Sequence, residues 1–176
     1  MLLKKYLPQY HYSSKHKIKI SATPEKIFEL TDRLDMSGSP LIRFLFRLRG
    51  MPSRMLNREG LQSDKFIELE RTSPQEIIIG LIGQFWKPNG NLRSFTPAEF
   101  ISFQEPGFLK AVWNFQLIPQ SATSTLLTTE TRIQCMDNEA QKKFSRYWLL
   151  IRPFSGIIRK EILRVIKRKA EQMTGG

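Results

Sequence analysis

From Asn138 onward the hydrophobic period of this chain turns helical and stays so, after a stretch from 66 to 135 that reads as short strands broken by turns. Strands followed by one long terminal helix constrain the fold to the α+β class, because a sheet and a helix segregated in sequence bury their apolar sides against each other. The terminal segment SRYWLLIRPFSGIIRKEILRVIKRKAEQ carries Pro153 in its interior, so a kinked or interrupted helix is expected. Its second half sets Phe154, Ile158, Ile162 and Val165 on one side and Lys160, Arg164, Lys167 and Arg168 on the other.

The middle reads as strands over Phe66 to Arg71, Glu76 to Trp86, Ala98 to Gln104, Phe108 to Pro119 and Ser124 to Cys135. Ser73-Pro74, Lys87 to Gly90 and Glu105 to Gly107 supply the fixed or positive φ that a reversal needs. Gly80 and Gly83 interrupt the most apolar strand and predict a bulged or strongly coiled sheet. Ahead of these, Tyr10 to Ile20 alternates weakly as a first strand. Thr23 and Pro24 then open a short helix ending near Arg33, and a second runs from Pro40 to Arg49, with Leu41, Phe44, Leu45 and Leu48 on one side, Arg43 and Arg47 on the other, and Gly50 as its stop.

The opening HKIKISATPEKIFELTD, the paired strands AVWNFQLIP and TLLTTETRI, and the helix from Asn138 resemble the START-like, or SRPBCC, helix-grip superfamily, which includes polyketide cyclases and lipid-transfer domains. LFRLRGMP, GLIGQFW and YWLLIRPFSGIIR are similar to an uncharacterised bacterial branch of it. The resemblance covers nearly the whole chain. It implies one domain over residues 1–176, a curved antiparallel sheet of six or seven strands wrapped around the C-terminal helix, and an apolar cavity between them.

Forty per cent hydrophobic residues and no long flexible linker fit a single domain with a sizeable core. No apolar run approaches a membrane span and the start lacks a secretory core, so the protein is expected to be soluble and cytoplasmic. Cys135 is the sole cysteine, hence a buried structural thiol rather than half of a disulfide. The net charge of +12 is concentrated at the ends, with 12 basic against 5 acidic side chains in residues 1–60 and 10 against 4 in 137–176. Such helix-borne charge points to an anionic partner.

No phosphate-binding glycine loop, zinc spacing or nucleophile elbow is present, and neither cofactor nor metal is implied. His11 and His16 are five apart on a strand, thus on opposite faces, and cannot share a metal. Trp86, Trp113, Phe115, Tyr147 and Trp148 are candidate cavity walls.

Glu130 and Arg132 share one face of the last strand, and which face depends on hairpin parity. If the turn is Gln120 to Thr123, Trp113 faces Glu130 and Ala111 faces Arg132, so the pair joins the aromatics. A loop one residue longer or shorter sets Trp113 beside Thr129 or Thr131 and turns the charges outward. Pro119 ends the strand and favours the first register. A three-residue turn at Glu105 to Gly107 would bring Glu99 beside Trp113 as well, forming a cluster of Glu99, Glu130 and Arg132 that either welds the strands or anchors a ligand.

Both faces of IIIGLIG are apolar, so the face away from the cavity needs cover from the two short helices or from a second subunit in a homodimer. Two functions follow. The first is binding of a hydrophobic small molecule (lipid, sterol or polyketide-like), with cyclase- or hydrolase-like chemistry depending on a carboxylate or Tyr147. The second is docking of the basic surface (Arg43, Arg47, Lys160, Arg164, Lys167, Arg168) on an anionic membrane or acidic partner. Nucleic acid is disfavoured, since the basic face of the last helix lacks interleaved aromatics.

Overall fold

A computed structural model describes residues 2–33, 35–48, 53–57, 59–60 and 65–173. After a short helix α1 (Leu3–Tyr6) come β1 (Tyr12–Ile20), α2 (Pro24–Asp32), α3 (Pro40–Leu48) and a 3-10 turn at Ser53–Leu56. Then follow β2 (Ile67–Thr72), β3 (Glu76–Gly83), α4 (Pro97–Ser102), β4 (Leu109–Ser121), β5 (Ser124–Cys135) and α5 (Asn138–Gln172). The described strands form one antiparallel sheet in the order β1-β5-β4-β3-β2. With α5 against its concave face this is a helix-grip arrangement, built on five strands rather than six or seven.

The missing strand is α4. Residues 98–104 alternate weakly, but Thr96 accepts from the Glu99 backbone amide while Glu99 accepts from that of Thr96, and Pro97 occupies the first turn. A capping box with proline at the helix start outweighs the weak alternation. Glu99 is therefore an exposed helix cap and not a neighbour of Trp113.

β3 stops at Gly83, short of Trp86, because the Gln84 amide turns to the Gly90 carbonyl at 2.7 Å. Gly90 and Gly107 adopt φ of +67° and +80°, the left-handed region the two turns require. The absent side chain of Gly80 is replaced by Leu69, whose methyl lies 2.8 Å from where a Cβ would stand, at the irregularity between Glu68 and Glu70.

Two other expectations change. α2 starts at Pro24, but the Thr23 side chain makes no capping bond. α3 buries Ile42, Leu45 and Phe46, leaving Leu41 and Phe44 (62% exposed) outward with Arg43 and Arg47. Its start is oriented by Ser39, which donates to Glu161 of α5 at 3.3 Å; Arg49, Gly50 and the side chain of Leu48 lie outside the described residues. α5 continues through Pro153 without interruption, and Asp137 caps it by accepting from the Ala140 amide at 2.7 Å.

The convex back of the sheet is covered by the chain itself. Leu3, Tyr6 and Leu7 near α1 and Phe100 of α4 pack on Ile78, Ile82 and Val112. Neither α2 nor α3 supplies that cover, and a homodimer is not needed to hide IIIGLIG. Among the described residues no helix is long and apolar enough to cross a membrane.

Candidate functional site: a loosely packed layer beneath the C-terminal helix

The β4–β5 ladder pairs Trp113 with Thr131 and Leu117 with Leu127, and β3 sets Ile79 beside Trp113. β4 runs past Pro119 to Ser121, which pairs with Ser124 after an irregularity, so the reversal is shorter than four residues. The tight turn shifts the pairing by two residues and the irregularity returns one, so Pro119 lies opposite Thr125 and the net one-residue offset flips every β5 side chain. Trp113 and Phe115 face α5, as expected, whereas Glu130 and Arg132 lie on the convex side.

They are nevertheless buried, at 7% and 6% exposure. Arg132 Nε donates to Glu130 Oε1 at 2.6 Å, its Nη1 donates to the Leu7 carbonyl at 3.3 Å, and its guanidinium carbon lies 4.7 Å from the centre of the Tyr10 ring. Lys15 Nζ approaches Glu130 at 3.8 Å. Beside the pair, Asn114 accepts from the Glu130 amide at 2.8 Å and donates to Glu76 at 2.7 Å, and Glu76 in turn accepts from the Leu2 amide at 2.9 Å. This is a polar clamp that fastens the N-terminal segment to the sheet. It is no part of a cavity, and the expected cluster with Glu99 does not form.

On the concave side two buried clusters lie under α5. One surrounds Ile158, Ile162 and Ile166 with Trp113, Phe115 and Leu117; the other surrounds Ala140 and Phe144 with Ala111, Ile133 and Cys135. Between them the residues are less deeply buried. Ile151, Phe154 and Ser155 of α5 are only half-buried, as are Ile79 and Thr131 on the sheet, although all lie where helix and sheet face each other. Ile79 and Phe154 still pack on the first cluster, and Ile79 on the second as well, so the partial exposure marks a loosely packed layer beneath the Pro153 region.

Aromatic side chains flank it. Tyr147 and Trp148 stack on Phe144 with ring centres 5.9 and 5.7 Å apart, Trp148 lies 5.8 Å from Tyr12, and Trp86 packs on the same cluster from its turn. Trp113 is held by its ring nitrogen, which donates to Thr129 Oγ1 at 2.9 Å. Over that ring, 3.6 Å from its centre, sits the guanidinium of half-buried Arg159. Glu68, opposite Ile79, shares the concave face and pairs with Arg71 at 2.7 and 2.9 Å. The place of Arg159 beside Ile158 and Ile162 in the helical period was its sequence signal, overshadowed by the basic run around it.

At the β1 edge His16 faces α5, its Nε2 3.1 Å from Ser14 Oγ. Burial, with the charges of Lys160 and Arg159, holds its imidazole below the ordinary value of 6.5. Burial, aided by Asp137, pushes the Cys135 thiol up to about 11, which keeps it an inert core group. No group of three His, Cys, Asp or Glu among the described residues is placed to hold a metal.

The expected basic surface is partly neutralised. Glu161 pairs with Arg164 at 3.6 Å and Arg168 at 3.1 Å, and Glu171 with Lys167 at 3.0 Å. Arg43, Arg47 and Lys160 stand exposed.

No protein-family model and no curated protein matches the chain. Among solved structures it is similar to the di-domain aromatase/cyclase BexL of the BE-7585A biosynthetic pathway, at 12% identity and a TM-score of 0.38 over 94% of this chain and 48% of that one. The chain thus spans about half the length of that protein. It is also similar to the Zhui aromatase/cyclase from Streptomyces sp. R1128 (12% identity, TM-score 0.35, covering 94% of this chain and 98% of that one). A protein from Thermus thermophilus matches at 7% identity and a TM-score of 0.39, over 93% and 100% of the two chains. Scores this low say nothing of what the protein binds.

Proposed function

We propose that the loosely packed layer between the sheet and the middle of α5 opens into a gap that binds a small molecule with an apolar body, with Arg159 meeting a polar end of the ligand. The observation that carries this reading is the partial exposure of Ile79, Ile151 and Phe154 where the middle of α5 faces the sheet, between two well-buried clusters. Apolar walls with few polar groups are the usual make-up of a small-molecule site. A cation beside Trp113 adds preference for a carboxylate, phenol or similar acceptor-bearing end.

Binding is favoured over proton-transfer chemistry because, of the groups put forward from the sequence, Glu99 and Glu130 lie elsewhere and Tyr147 alone flanks the gap. An environment-sensitive apolar dye should bind at about one per chain and be displaced by fatty acids or sterols. Filling the gap with Ser155→Phe should remove that binding while the protein stays folded. Wild-type protein that takes up neither dye nor any apolar ligand, by fluorescence and by native mass spectrometry, would end the proposal.

A further inference from the structure

A second concavity lies on the outside of the molecule, between edge strand β1 and the middle of α5, with a volume of about 430 Å³. The consecutive residues Ser13 to His16 line it. Since successive side chains of a strand point to opposite faces, the groove wraps around the strand edge. Lys15 and His16 approach from the strand, Arg152 and Lys160 from the helix, and no carboxylate lines it. Lys15 also reaches Glu130 at 3.8 Å on the convex side, whereas Arg152 and Lys160 are exposed. Gly156 forms the helix wall, and a Cβ there would stand 3.8 Å from the His16 ring, so the missing side chain widens the groove. The depressed His16 imidazole reports the same positive field, set by Lys160 and Arg159 from α5 after burial itself.

The helix beside this groove is exposed and apolar. Leu149 and Leu150 are 78% and 68% exposed, and Ile157 is 43% exposed. At 3.6 residues per turn, Leu149, Pro153, Gly156 and Lys160 follow one line along α5, so the leucines continue the groove's own edge. Cations alone would suit any anion. Cations that run into large exposed leucines suit an anion at an apolar boundary.

We propose that this groove receives the phosphate of an anionic phospholipid while Leu149, Leu150 and Ile157 enter the interfacial layer, so that the protein rests on an anionic membrane through the outer side of α5 and the edge of β1. Arg152 and Lys160 contact the phosphate. The proposal is independent of the gap beneath α5, which uses the opposite side of the helix.

Sedimentation with vesicles tests it. The full chain should bind phosphatidylglycerol/phosphatidylcholine vesicles and ignore pure phosphatidylcholine. The double variant Arg152→Gln/Lys160→Gln should bind about 30-fold more weakly, as expected for two lost cations at a charged surface. Leu149→Ser/Leu150→Ser should weaken binding at least about tenfold at every salt concentration. Arg43→Gln/Arg47→Gln, removing two exposed cations of α3, should change it by less than about threefold. All six positions are exposed, so each variant should fold, as circular dichroism would check. Failure of the wild type to bind anionic vesicles would overturn the proposal. So would equal loss in the α3 variant, which would show unspecific charge attraction, or indifference to the leucine change. If inorganic phosphate moves the His16 resonance while vesicles are not bound, the groove is a site for soluble phosphate and the membrane role is wrong.

Discussion

Arg159 lies over the ring of Trp113 with 3.6 Å between the guanidinium carbon and the ring centre, joining the C-terminal helix to the middle strand of the sheet. A partly desolvated pair of this kind stabilises by roughly 1 to 2 kcal/mol. Arg159→Met, which keeps most of the stem packing, should therefore lower stability by about that amount in urea unfolding. It should also alter the fluorescence of Trp113, resolved by comparison with Trp113→Phe, and weaken binding of a carboxylate-bearing ligand more than that of an uncharged apolar dye.

Arg132 and Glu130 fasten the N-terminal segment, and the pair is buried. Arg132→Met leaves Glu130 without its closest partner and should destabilise by about 3 kcal/mol or more, with earlier proteolysis near Leu7. Adding Glu130→Gln should recover part of the loss. Ligand binding beneath α5 should be unaffected by either change, as measured on protein still folded at low temperature.

Gly80 and Gly83 sit in one strand and should respond differently to alanine. A Cβ at Gly80 meets the end of the Leu69 side chain, which can rotate, whereas one at Gly83 would stand 2.7 Å from the Gly90 carbonyl oxygen, which is backbone. Thermal unfolding should show Gly83→Ala destabilised by roughly 1 to 3 kcal/mol, and Gly80→Ala by less.

His16 should titrate below 6.5 in NMR, with Lys160→Gln moving its pKa upward. Because the native imidazole binds a proton less readily than the unfolded one, the unfolded state carries more protons between the two pKa values. This group's contribution therefore falls as pH drops from about 6.5 through the native value. His16→Asn should flatten that part of the stability–pH curve, and an unchanged curve would show that the ring is not held in its neutral form.

Much of the architecture is legible locally. The limits of β5 and the start of α5 follow from a change of period and a capping Asp137, and the turns at Gly90 and Gly107 from residues that tolerate positive φ. Even α4, expected as a strand, carried its sign in Thr96, Pro97 and Glu99, a local capping pattern stronger than a short alternation. The cover of the convex face was not legible in this way, because a four-residue helix such as α1 has too little period to read and owes its place to Ile78, Val112 and the Glu76 carboxylate.

What the sequence determined by itself is the order of the five sheet strands and of α5, and which residues of one strand share a face, since these depend on sustained backbone periods of 2.0 and 3.6. That Glu130 and Arg132 lie together follows from their spacing alone. Which side they lie on was decided only by the tertiary structure. It depends on the irregularity between Pro119 and Ser121, which sets Pro119 opposite Thr125, one residue away from the register that ends β4 at Pro119, and a slip of one residue exchanges the two sides of a strand. The same holds for Arg159. Helical spacing places it within reach of the inward side, but its position over Trp113 requires the sheet to present that ring, and sheet and helix meet only when the whole chain has folded.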